Sequence, residues 1–262
     1  MRRILTTVHA MFLRSLTRHG LAAGMILLGA LGGPAFGEHD GSDILELSQH
    51  MIKLERAGQY ASALPLAEHA LSSSEKTFGL EHPTVAIYAD HLAVLHYMMG
   101  ENDKALPLFQ RALGIQERLL GREHPAVSST LNHMAKLYVT TKQPAKAESM
   151  LRRALKIREK ALNPDNPAIA TILGNLGVLY ESQGQYAKAE PLMQRTLAIQ
   201  EKSLGPTDPS VATSLENYAH LLRKTQRAVE AVPLEARAKA IRQSQPALRQ
   251  DRPTKSDSDE KR

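Results

Sequence analysis

The 262-residue sequence contains no cysteine and no tryptophan, and only 4% of it is aromatic. Without cysteine there can be no disulfide, no thiol nucleophile, no thiolate-ligated metal and no lipid-bearing cysteine after a leader. With so few rings, Leu, Ala, Ile and Val must supply the buried surface, which suits helix packed on helix better than a β-sandwich. Catalytic signatures are missing too: there is no glycine-rich phosphate loop, no G-x-S-x-G and no H-E-x-x-H. An all-α chain with no enzymatic activity, no catalytic residues and no cofactor is the expectation.

An excess of one charge is also lacking once position is considered. The formal charge is +6, but residues 1–37 hold Arg2, Arg3, Arg14 and Arg18 and no acid, so the remainder carries 29 basic against 27 acidic side chains. That balance argues against nucleic acid or an anionic membrane surface as partner. The same 37 residues read as an export leader. An Arg-bearing start precedes an apolar run, Leu21–Gly33, and then Pro34-Ala35-Phe36-Gly37 puts small residues where a signal peptidase reads them. Cleavage after Gly37 is expected, giving a periplasmic or secreted chain with no stable membrane insertion. The run of 13 residues falls short of the ~20 needed to span a bilayer. An uncleaved anchor is the alternative, and Met11 is an alternative start.

What the sequence does contain is a period. Pro83, Pro125, Pro167 and Pro209 stand 42 residues apart, as do Ala63, Ala105, Ala147, Ala189 and Ala231. Spacing held this strictly marks stacked copies of one supersecondary unit. After a polar joint at 38–43, the copies cover 44–85, 86–127, 128–169, 170–211 and a shorter 212–242. A polar tail, 243–262, is expected to be disordered. In the fourth copy Ile172, Leu173, Leu176, Val178, Leu179 and Tyr180 recur at helical spacing, Gly184-Gln185 interrupts, and Ala189, Leu192, Met193, Leu197 and Ile199 resume.

Each copy is therefore a helical hairpin. Its first helix should start at the proline, capped by His82, His124, Asn166 or Asp208. It should stop at Gly58, Gly100 or Gly184, residues that reach the left-handed conformation without strain. Lys142 and Gln226 occupy that place in copies three and five, so those turns are expected to differ in shape or to be less stable. Alanines seven apart, among them Ala63 with Ala70 and Ala105 with Ala112, should let paired helices approach closely. Lys239, where earlier copies carry Leu71, Leu113, Leu155 and Leu197, should end the stack.

A period of 42 suits HEAT and armadillo hairpins, but residue order points elsewhere. Leu176-Gly177-Val178-Leu179-Tyr180, then Gly184-Gln185-Tyr186, Ala189 and the Ala or Thr at 196 resemble the tetratricopeptide repeat. With connectors such as Leu120-Gly121-Arg122-Glu123-His124-Pro125, the long form is similar to the repeats of kinesin light chains and their bacterial relatives. The resemblance covers about residues 44–242 and implies a right-handed superhelical solenoid of about five hairpins. It also implies that the first helices line a concave groove holding an extended peptide.

Carried onto this chain, the peptide-binding groove comprises Asp90, His91, Val94, Asn132, His133, Lys136, Asn175, Val178, Asn217 and His220. Amides and imidazoles in rows can bond a peptide backbone of any sequence; solvated polar side chains on a curved surface are the plainer alternative. These groups are expected to face solvent, so that removing His91, His133 and Asn175 together leaves stability unchanged. His91 and His133 suggest a metal, but equivalent residues in stacked hairpins lie about a helix diameter, ~10 Å, apart. No metal site is expected. The implied role is an adaptor or scaffold for a protein or peptide partner. A self-assembling structural protein, a homo-oligomer, is one alternative; a regulatory subunit of a neighbouring enzyme is another.

Overall fold

The computed structural model describes residues 38–244, and every regular element there is an α-helix. The leader (1–37) and all but the first two residues of the expected tail lie outside the described residues. Hairpin one pairs α1 (Glu38–Arg56) with α2 (Tyr60–Phe78), and hairpin two pairs α3 (Pro83–Met98) with α4 (Asn102–Leu120). Hairpin three is α5 (Pro125–Thr140) and α6 (Pro144–Ala161), and hairpin four is α7 (Pro167–Ser182) and α8 (Tyr186–Leu204). The fifth pairs α9 (Pro209–Lys224) with α10 (Ala228–Ser244). The segment read as a polar joint, 38–43, is the opening of α1. Among the described residues no helix is long and apolar enough to cross a membrane.

The starts of the odd helices follow from their caps. His82, His124, Asn166 and Asp208 each accept a hydrogen bond from the backbone N–H two residues on, at 3.2, 3.2, 2.9 and 2.7 Å. Proline follows each cap, where its missing N–H costs nothing. At the other end Gly58, Gly100 and Gly184 take φ of 72°, 81° and 74°, while Lys142 and Gln226 take 57° and 62°. The turns in copies three and five are thus not reshaped. Neighbouring hydrogen bonds, such as Gln143 N–H to the Tyr138 carbonyl at 2.7 Å, hold a non-glycine residue in the left-handed region.

Helix pairing within a hairpin is close because small residues line it. Ala63, Ala105, Ala147, Ala189 and Ala231 are fully buried, as are Ala70, Ala112 and Ala154. In α7 the position held elsewhere by Ala93, Ala135 and Ala219 is Gly177, and a Cβ there would stand 3.0 Å from Met193 Cγ. The core runs the length of the stack: Phe109, Leu131, Leu137, Leu151 and Leu176 join one cluster across three hairpins, with smaller clusters at both ends. Lys239 is exposed on α10, the last of the described helices.

The two sides of the stack differ. Each even helix packs on the odd helix that follows, and odd helices also touch the next odd helix, α3 with α5 and α7 with α9, whereas successive even helices meet less closely. The odd side is therefore the inside of the curve.

Candidate functional site

The expected groove residues lie on the inner, odd-helix face, and the structure brings most of them into contact with one another. The spacing of contact is one repeat plus one residue. Asp90 Oδ2 meets His133 Nδ1 at 2.8 Å between hairpins two and three, and Asn175 Nδ2 donates to Asn132 Oδ1 at 2.7 Å between three and four. At the next joint the pattern breaks: Gly174 has no side chain to offer, and Asn217 Oδ1 is buried without a hydrogen-bond partner among the described residues. Thr196 of α8 stands beside this gap, its Cγ2 3.4 Å from where a Cβ on Gly174 would lie. The equivalent positions are Ala112 and Ala154, opposite Asp90 and Asn132. Glycine and threonine here compensate one another in volume.

At the first joint His91 Nδ1 lies 3.8 Å from Glu55, while Ser48 Oγ and Tyr88 Oη are 2.6 Å apart. At the last, His220 Nδ1 bonds Glu181 of the preceding odd helix.

The expectation that these side chains face solvent needs correction. Asp90, Asn132, Lys136, Asn175 and Val178 are buried, and His91, Val94, His133 and Asn217 are half-buried. Of the ten, only His220 is exposed. The physical reason is the curvature: odd helices approach closely enough for short polar side chains at i and i+43 to pair and shield each other from water.

Electrostatics follow from that enclosure. Burial pushes the Asp90 carboxyl upward, but the charge and hydrogen bond of His133, with His91 beyond, outweigh it and hold the pKa below the usual value. For His91 burial favours the neutral ring, and Glu55 with Asp90 more than offsets this, so the pKa is raised. The Glu181 hydrogen bond raises that of His220. Lys136 stands where α3 and α7 carry Val94 and Val178, and burial lowers its pKa to about 7. Among the described residues no group of three or more His, Asp or Glu converges to hold a metal ion.

On the opposite, even-helix face lies a pattern the sequence reading missed. Glu75, Glu117, Glu159 and Glu201 pair with Arg111, Arg153, Arg195 and Arg237 of the next even helix, one pair at every joint. A second row joins connector acids Glu81, Glu123 and Asp165 to Arg118, Lys160 and Lys202. Both rows keep the 42-residue period, so the signal was present as acids and bases 36 or 37 apart. Long side chains reach across the wider gap on the outside of the curve.

With that geometry in view, the likenesses are informative. The sequence profile of the tetratricopeptide repeat matches residues 52–117, 84–160 and 168–244. No curated protein matches. Among solved structures, a protein of kinesin-light-chain type from Podosopora anserina, with nearly identical TPR-like repeats, is 26% identical. It aligns over 79% of this chain and 97% of its own with a TM-score of 0.64. BtubC (BKLC) from P. vanneervenii is 22% identical over 98% of this chain and 96% of its own, TM-score 0.67. Aspartyl phosphate phosphatase F from Bacillus subtilis shares the fold at 18% identity, covering 80% of this chain and 54% of its own, TM-score 0.65.

Proposed function

This chain belongs to the tetratricopeptide repeat family, and from that premise we propose that it is a non-enzymatic adaptor that holds an extended peptide of a partner protein along its odd-helix face. The observation that carries the reading is the break in the inner ladder. Two joints are closed by side chains pairing with each other, and at the third Gly174 leaves Asn217 Oδ1 without a donor. A bound strand that parts the side chains covering this atom supplies the missing donor from a backbone N–H, with His220 and half-buried Val94, His91 and His133 along the same face. A buried acceptor left unmade costs ~1–3 kcal/mol, which a ligand recovers on binding.

The test fills the gap using residues the chain already tolerates. Gly174→Asn with Thr196→Ala reproduces the Asn132 and Ala154 pair of hairpin three. The double variant should melt no lower than wild type and lose at least tenfold in affinity for a partner captured by the wild type. A variant that folds and binds its partner undiminished sinks the odd-helix face as the binding surface. The leader argues for action in the periplasm or outside the cell. N-terminal sequencing of the mature protein should begin at Glu38; a retained leader on a membrane-bound protein moves the reading to an anchored adaptor.

Self-assembly by continued stacking is disfavoured by one observation. The next acid of the outer row, 42 residues after Glu201, is Gln243, and the next connector acid is replaced by Thr207. A second copy docked on α10 would meet neither ion pair.

A further inference from the structure

The five hairpins serve as an alignment of the chain with itself, in which shared residues describe architecture and departures ask for another explanation. Hairpin three departs in charge. Residues 128–169 hold eight Lys or Arg against three Asp or Glu, whereas 86–127 hold four against five and 170–211 three against four. Two of the extra cations, Arg152 and Lys156, replace the neutral Gln110 and Gly114 of α4 and the Gln194 and Ala198 of α8. Neither serves the outer ion-pair row, which in α6 uses Arg153 and Lys160.

Both line a cleft of about 470 Å³ between α6, α7 and α8, with Leu155, Tyr180, Lys188 and Leu192. On α7 the cleft takes Leu176 and Tyr180 while the inner ladder takes Asn175 and Val178. At about 100° per residue these pairs point to opposite sides of the helix, so the cleft opens away from the groove proposed above. Its electrostatics are one-sided. Glu159 is engaged by Arg195 at 2.6 Å. Arg152 gives Nε to Glu148 at 2.8 Å and Nη2 to Tyr180 Oη at 2.6 Å, which leaves Nη1 of its exposed fork for a ligand. Lys188 sits over the Tyr180 ring, 5.4 Å from its centre. Lys156 makes no direct ion pair among the described residues, sensing Glu123 only at a distance.

We propose that this cleft is a second binding site, for an acidic peptide segment that sets an aliphatic side chain between Leu155 and Leu192 and its carboxylates on Arg152 and Lys156. A small inorganic anion would leave the apolar strip unused, and a purely apolar ligand would bury two cations for nothing. Arg152 and Lys156 are one helical turn apart, about 6 Å, a spacing that two carboxylates of one short segment can meet. The site is independent of the odd-helix groove.

Fluorescence anisotropy of the full chain with a fluorescein-labelled EELEEL peptide tests it. Wild type should bind and weaken as salt is raised. Arg152→Gln with Lys156→Ala, residues that other hairpins carry at these positions, should bind at least tenfold more weakly with an unchanged melting curve. EEAEEA should also bind more weakly, since the aliphatic anchor is gone. The Gly174→Asn, Thr196→Ala variant should bind EELEEL like wild type. No binding to wild type, equal binding to the double cation variant, or equal binding of EEAEEA each overturns the proposal. So does loss of binding on filling the inner ladder, which would place the probe in the other groove. A single-stranded oligonucleotide that binds as tightly as EELEEL overturns it in favour of an unspecific polyanion surface.

Discussion

Between hairpins two and three the inner side is joined by Asp90 and His133 at 2.8 Å, and the outer side by Glu117 and Arg153 at 2.6 Å. Both contacts join an acidic to a basic side chain, yet their surroundings differ. The inner side chains are 12% and 14% exposed and the outer ones 24% and 30%. Buried polar groups depend on each other because water cannot replace a lost partner; exposed ion pairs give back most of their Coulomb energy to solvent and side-chain entropy. The inner ladder should therefore fix the stack, while the outer rows tune it.

The largest effect should come from breaking the ladder. Replacing His91, His133 and Asn175 together by Ala removes the basic neighbour of Glu55 and strands Asp90 and Asn132, at about 1–3 kcal/mol for each of the two stranded groups and roughly 2–6 kcal/mol together. Thermal melting should fall on the order of 10 °C for an array of this size. Glu117, Glu159 and Glu201 replaced together by Ala should cost less than half as much. Equal losses from the two triple variants would erase the distinction between the faces.

Next in size is Lys136, a buried basic side chain on the inner face. Met at this position resembles the Val94 and Val178 of neighbouring helices and should stabilise by about 1–4 kcal/mol. The sign with pH is defined. The folded-state pKa is about 7 against 10.5 for the free side chain. Below pH 7 both states are protonated and wild type carries the full penalty. Between pH 7 and 10.5 the unfolded chain holds more protons, so wild-type stability rises with pH relative to Lys136→Met. Urea unfolding of both proteins at pH 6.5 and 10 checks this, and a gap that stays constant or widens at pH 10 contradicts it.

The sequence revealed the architecture because the determinants of a repeat are local and recur. Pro167 after Asn166 starts a helix wherever it occurs, Gly184 stops one, and Ala189 and Tyr180 mark packed faces at fixed spacing. The odd-helix face was legible in its members and not in their state. His133 and Asn175 lie on odd helices, but their burial depends on how sharply the stack curves, which is a property of five hairpins and not of one. The outer rows went unread for a different reason: Glu117 and Arg153 are 36 residues apart, a spacing that means nothing until the repeat has been folded back on itself.

A smaller effect belongs to the turns that carry the chain from the inner helix to the outer one. Lys142 and Gln226 hold φ near 60° where the other hairpins use glycine. Lys142→Gly should relieve about 1 kcal/mol of left-handed strain, less what the unfolded chain gains in freedom. Gly184→Ala should cost a similar amount, although open space surrounds that position. Chemical denaturation of the two variants should move in opposite directions; movement in the same direction would mean that backbone conformation does not govern these turns.

The smallest effect should be a single outer pair, and its salt dependence is what separates the faces most cleanly. Arg195→Ala removes the partner of Glu159 in a pair whose side chains are about 40% exposed, so the loss should be about 0.2–1 kcal/mol at low ionic strength. At 1 M salt the screening length falls to about 3 Å, and the difference between wild type and variant should vanish. Asn175→Ala supplies the contrast. Its bond to Asn132 carries no net charge and lies in a buried joint, so its cost should be the same at 0.05 and 1 M salt. If salt instead removes the Asn175 effect and spares that of Arg195, the closed face is the outer one, and the curvature has been assigned to the wrong side of the stack.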